Sequence, residues 1–252
     1  MKKISKHIFK EAMMNSKVRK ALELYLFVKH AYQSSTIPNF TYKGLSERTG
    51  LCFTSLKKRI ATLNEMGLIE RVGKNGQHLL FKAAKARRVN MRIEQIDFSS
   101  IQSISKGLCA LFIVEIQLRK EYIKQLLQTY WAYRKKAKFK CERSYQSIRN
   151  EVRKRGLLDT HFKENGISYK YIAQKIGISF SKVSDAIKYA VKQNMLNKHT
   201  HIKRVFSAKR QNGFYAFQFV ADKINKFATY HGIYSVSANT YSLCYGAAWY
   251  GI

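Results

Sequence analysis

"TYKGLSERTGLCFTSLKKRIATLNEMGLIERV", Thr41 to Val72, is a pattern this chain writes twice. From Ser168 to His199 it reads "SYKYIAQKIGISFSKVSDAIKYAVKQNMLNKH", and the two stretches superpose without a gap, 127 positions apart. Each opens on a helix-capping residue, Thr41 or Ser168, whose side-chain oxygen can accept from the orphan amides of a first turn. Residues at helical spacing come next: Tyr42, Leu45 and Thr49 in one copy, Tyr169, Ile172 and Ile176 in the other. Gly50 and Gly177 then end the helix, because glycine enters the left-handed region at little cost. A second helix shows Leu56, Ile60 and Leu63, matched by Val183, Ile187 and Ala190, one buried stripe at i, i+4 and i+7. Ser179 can cap this second helix, whereas Cys52 is a poor cap, so the first copy has the weaker helix start.

The segments after the two helix pairs are also alike. "NEMGLIERVGKNGQHLLFKAA" and "KQNMLNKHTHIKRVFSAKRQNGFYAFQFV" each predict a strand, a turn and a second strand. Asn75-Gly76 and Asn212-Gly213 are strong hairpin signals, the second with the longer tip "SAKRQNG". Helix, turn, helix, hairpin is the order of a winged helix. "LSERTGLCFTSLKKRIATLNEMGLIERV" resembles the core of bacterial winged helix-turn-helix DNA-binding domains, above all through Leu63, Gly67, Leu68, Ile69, Glu70 and Arg71. The second copy departs from that ending, with Asn194 for the glycine and Met195-Leu196 for the apolar pair. The resemblance covers residues 17–82 and 167–220. It implies a mainly α fold with small β-hairpin wings (α+β), two winged-helix domains joined by a long helix. The expected organisation is a first module over 1–83, a basic linker over 84–104, a long helix with the second module over 105–220, and a tail over 221–252, rich in aromatic residues, serine and glycine and uncharged after Lys226.

Charge narrows the partners. Forty-seven Lys and Arg face 15 Asp and Glu, a net charge of +32. Without an anionic partner such an imbalance costs self-repulsion, so nucleic acid, an anionic membrane or an acidic protein is implied. The longest apolar run, "LCALFIV" from Leu108 to Val114, is far short of a span. The N-terminus lacks the apolar segment of a secretory signal. Cys52, Cys109, Cys141 and Cys244 stand singly with no CxxC pair, which favours a reducing compartment over a zinc site. The expectation is a cytoplasmic, nucleoid-associated protein of a bacterial host, with double-stranded DNA as partner, no membrane, no cofactor and no metal.

The winged-helix resemblance implies that the second helix enters the major groove, where only its outward side chains meet base edges. Those facing away from the stripe are Thr54, Ser55, Lys57, Lys58, Arg59 and Thr62 in the first copy, and Ser181, Lys182, Ser184 and Lys188 in the second. Arg59 or Lys58 suits guanine, and the small hydroxyl residues suit close approach to phosphates. Asp185 argues against phosphate contact at its own position. Lys74 and His78 on the first wing, and Lys209, Arg210 and Gln211 on the second, reach for backbone or minor groove. Arg87 and Arg88 in the linker "AAKARRVNMR" would lie along phosphates. Two unlike readers suit an asymmetric or bipartite site better than a symmetric one.

The rest of the chain is less specific. Ser105 to Lys136 predicts a long helix with Leu111, Val114, Leu118, Tyr122, Leu126 and Tyr130 on one apolar face. It is a candidate first helix for the second module; the rival is "SYQSIRNEVRKRGLL", which aligns without a gap but matches the apolar positions poorly. "YRKKAKFKCERSYQSIRNEVRKRG" interleaves ten basic residues with aromatics, more in the manner of a basic helix with core-facing rings than of a platform for single strands. The tail predicts a hairpin on the second module, a docking segment or loose chain. An enzyme is not expected. His199 and His201 share one strand face without a third ligand, and no P-loop, HExxH or GxSxG occurs. Two winged helices in one chain are similar in architecture to plasmid and phage replication initiators, which implies sequence-specific duplex binding at repeated sites. The alternatives are a transcriptional regulator and a nonspecific packaging or virion-associated protein, with a homodimer or the replication or transcription machinery as further partners.

Overall fold

A computed structural model of the chain describes residues 3–32, 35–82, 90–92, 96–136, 143–155, 166–210, 213–221 and 233–243. The fold is mainly helical with small antiparallel sheets, an α+β architecture. The described residues form two compact units. One takes those of Met1–Phe112 together with Tyr169–Leu196 and Leu243, the other those of Ile113–Ser168 and Asn197–Ser242.

In the first unit, β1 (Lys3–Ser5) leads into α1 (Lys6–Met14) and α2 (Ser16–Ala31). Residues 21–28 of α2 are all buried, as expected of a helix surrounded by packing partners. Next come β2 (Thr36–Ile37), α3 (Tyr42–Thr49), α4 (Phe53–Glu65), β3 (Ile69–Val72) and β4 (His78–Phe81). Here α2 packs across α4, and the strands form one sheet in the order β2-β4-β3. The β3–β4 hairpin pairs Ile69 with Phe81 and Val72 with His78. Its turn needs left-handed backbone at Gly73, Asn75 and Gly76, with φ of 88°, 58° and 64°, which is why the stretch is written Gly-Lys-Asn-Gly. Tyr25 Oη donates to the Lys82 carbonyl at 2.7 Å and ties the hairpin's end to α2.

The second copy repeats this geometry. Helix α7 (Tyr169–Ile176) matches α3 in length, and α8 (Phe180–Lys192) matches α4. Five backbone hydrogen bonds recur at the same offset. Gly50 to Ser46 becomes Gly177 to Ala173; Leu56 to Cys52 becomes Val183 to Ser179; Met66 to Thr62 becomes Gln193 to Tyr189. Gly67 to Asn64 becomes Asn194 to Val191, and Leu68 to Leu63 becomes Met195 to Ala190. Asn194 takes the place of Gly67 because asparagine tolerates the same left-handed backbone, φ 52° against 67°. The caps differ as their residues dictate. Thr41 Oγ1 accepts from Gly44 N at 3.1 Å and Ser179 accepts from Lys182 N, while Cys52 caps nothing.

The long helix α5 runs Ile101–Lys135. Its first turns, not the rival segment, share a unit with α7 and α8, and Lys106 Nζ stands 5.5 Å from the centre of the Tyr189 ring on α8. By length and composition α5 could cross a membrane, but two thirds of its most apolar stretch is buried inside the protein. Of the expected apolar face, Leu111, Val114 and Tyr130 are buried, Tyr122 and Leu126 half-buried and Leu118 exposed.

In the second unit α6 (Arg143–Lys154) packs its Tyr145 and Val152 on Leu127 and Tyr130 of α5. The Tyr130 and Tyr145 rings stack at 6.1 Å, so this basic stretch does turn aromatic rings to a core. The sheet of this unit has the order β7-β6-β8, with β6 spanning Leu196–Arg210, β7 Gly213–Ala221 and β8 Ile233–Leu243. Strand β6 pairs with β7 from Ile202–Ala221 to Arg210–Gly213. The expected seven-residue tip is therefore corrected: Ser207 to Arg210 lie inside the ladder, and only two residues separate the strands. The tail supplies β8, where buried Asn239 pairs with Ile167 and contacts Thr200 Oγ1 at 3.0 Å. Two further differences concern the expected boundaries. The 84–104 segment contributes β5 (Asn90–Arg92), which pairs with β1, and the start of α5. Residues 169–196 group with the first module and not with the end of α5.

Candidate nucleic-acid interface

The outward side of α4 is set by what lies beneath it. Leu56, Ile60 and Leu63 are buried against α2, which turns Thr54, Lys57 and Lys58 to solvent and leaves Ser55 and Thr62 half-buried. Thr62 Oγ1 donates back to the Lys58 carbonyl at 3.1 Å. Lys57 Nζ lies 6.0 Å from the centre of the Tyr42 ring. Among the described residues no carboxylate pairs with Lys57 or Lys58.

Arg59 is a correction. It is 8% exposed, and its Nη1 sits 3.0 Å from Glu23 Oε2 and 2.8 Å from the Lys20 carbonyl, both on α2. A second inward stripe at i+3 from Leu56 takes the arginine into the helix–helix contact, where Glu23 compensates its charge. Arg59 holds α4 on α2 and does not face outward. Helix α2 reaches the second copy as well. Arg19 of α2 donates to the Ile176 carbonyl at 2.8 Å, the last residue of α7. Burial lowers the Arg19 pKa, while Cys109 and Glu23 act to raise it. Burial also pushes the Cys109 thiol up to about 12, which keeps it protonated and inert. Helix α2 thus contacts α4 through Glu23 and α7 through Arg19.

On α8 the stripe Val183, Ile187 and Ala190 is buried, and Ser181, Lys182, Asp185 and Lys188 are exposed, with Ser184 half-buried. At the position of Arg59 the second copy has buried Ala186. On the first hairpin Lys74 is exposed at the turn. His78 is half-buried, and its Nδ1 accepts from Asn39 N at 3.1 Å, so the ring is engaged with the segment between β2 and α3. Lys209 and Arg210 stand opposite Phe214 and Gly213 in the second hairpin. Arg87, Arg88 and Gln211 lie outside the described residues.

No family model, no characterised protein and no solved structure matches this chain. The chemistry available at the site is accordingly that of its own residues. No cluster of three metal-ligating side chains occurs among the described residues. What α4 and α8 offer is a convex helix face with small hydroxyls, lysines and one aromatic ring at its leading end. That ring, Phe53 on α4 and Phe180 on α8, is absent from the residues expected to face a duplex. A signal for it exists in the sequence, since both begin their helix at the same offset.

Proposed function

We propose that the chain is a tandem winged-helix protein that binds double-stranded DNA in a sequence-specific way through α4 and α8. The observation that carries this reading is the helix pair repeated with the same turns and buried stripe but with different outward residues. Lys57 answers to Ser184, Lys58 to Asp185, Ala61 to Lys188 and Asn64 to Val191. Two faces that differ while their supports agree suit the reading of two different sequences. The net charge of +32 supplies the nonspecific attraction to phosphate on which such reading builds. The short strand β2 precedes α3 and α4, and the β3–β4 hairpin comes after them, an arrangement in keeping with a wing beside a major-groove helix.

Within that class, the role proposed first is a plasmid- or phage-type replication initiator, because unlike readers suit an asymmetric, iterated site; regulation of transcription is the runner-up. The test is equilibrium binding to a duplex selected from random sequence. Lys57→Ala with Lys58→Ala is expected to weaken the selected duplex by about 1–3 kcal/mol per good base contact, and a scrambled duplex by less. Equal loss on both would favour packaging without sequence choice. An initiator's selected sites should recur as repeats beside AT-rich DNA that it melts or bends, whereas a regulator's should overlap a promoter.

A further inference from the structure

Phe53 and Phe180 are large apolar side chains left in water, 49% and 59% exposed. They occupy equivalent positions, the first residue of α4 and the first of α8. The exposed positions further along the two helices have diverged in charge or polarity, Lys58 against Asp185 among them. A hydroxyl, Thr54 or Ser181, is the other outward feature the copies share. Phe180 leans on Tyr169 at 5.5 Å between ring centres, which props the ring without covering it. Leaving such a side chain exposed forfeits the stabilisation of burying it. A core role does not explain two rings on the outside at the same point of two otherwise unlike faces.

We infer that Phe53 and Phe180 are a matched pair of thymine-reading contacts, each setting its ring against the 5-methyl group of a thymine in the major groove. The inference rests on the duplex-binding function proposed for α4 and α8. Thymine is the base that presents a methyl group in that groove, and an aromatic ring is a fitting apolar partner for it. The leading end of a groove-entering helix is where winged-helix and related readers meet base edges. Lys57 and Lys58, one turn further on, are free of carboxylate partners among the described residues and supply attraction on the same face of α4. The two half-sites would then share a thymine at corresponding positions and differ around it.

The experiment replaces every thymine of the selected duplex by deoxyuridine, which removes the methyl and leaves the hydrogen-bonding edge intact. Wild-type protein is expected to lose about fourfold in affinity for each methyl it contacts, and about fifteenfold for both. The F53A/F180A double variant should bind the thymine duplex that much more weakly and should no longer distinguish thymine from deoxyuridine. A thermal melt checks that the variant is folded, and equal wild-type affinity for the two duplexes overturns the inference even if it is not. Equal wild-type affinity for both duplexes, with preference over a scrambled duplex intact, overturns the inference and leaves duplex reading standing. No preference for any duplex overturns both. A double variant that binds DNA normally but loses self-association would assign the rings to a second copy of this chain and overturn the inference as well.

Discussion

The two helix-turn-helix copies show which residues a fold demands and which it leaves open. Between them the buried stripe, the left-handed glycine after the first helix and five backbone hydrogen bonds are retained. The differences inside are compensated substitutions. Gly67 becomes Asn194, another residue tolerant of positive φ. Arg59 with its Glu23 partner becomes Ala186. The cap present at Ser179 is absent at Cys52. Outside, side chains change charge and size without disturbing the helices that carry them. Stability therefore lives on one side of α4 and α8, and the other side is left open to vary.

That contrast can be tested where it should be strongest. Glu23→Ala leaves the buried Arg59 guanidinium without its carboxylate, and about 3–5 kcal/mol of stability should be lost in denaturant titration. A loss below about 1 kcal/mol would mean that the ion pair does not hold the first copy. Ser179→Ala removes a working cap and should cost about 1 kcal/mol, whereas Cys52→Ala should cost little and Cys52→Ser should stabilise by a similar amount. Comparable costs at the two sites would show that the caps are equivalent after all. An effect no larger than that of the cap is expected at the second turn. Asn194→Gly should leave the midpoint nearly unchanged, while Asn194→Ala should lower stability by roughly 1 kcal/mol because alanine resists positive φ.

The duplicated helices are legible in the sequence because helix period, cap and stop residues agree over a long, gapless stretch. Arg59 is misplaced by a stripe drawn at i, i+4 and i+7, which omits the i+3 neighbour, and its partner Glu23 lies 36 residues away. The second hairpin's tip reads too long because Ser207 to Arg210 carry polar and charged residues that resemble a loop. A ladder accepts such residues, since backbone groups make its bonds. Strands β1, β2 and β5 leave no trace in the sequence pattern, because two or three residues carry no period and their pairing partners are distant. The placement of 169–196 with the first unit depends on contacts such as Arg19 to Ile176, across 157 positions, which no local pattern reveals.

The most direct test of the central claim is selection of bound duplexes from random sequence with wild-type protein and with the Lys57→Ala, Lys58→Ala variant. Because α4 and α8 belong to one unit, wild type should enrich two unlike half-motifs at a fixed spacing, and the variant should lose information in one half alone. Enrichment of nothing, or equal decay of both halves, would contradict the account.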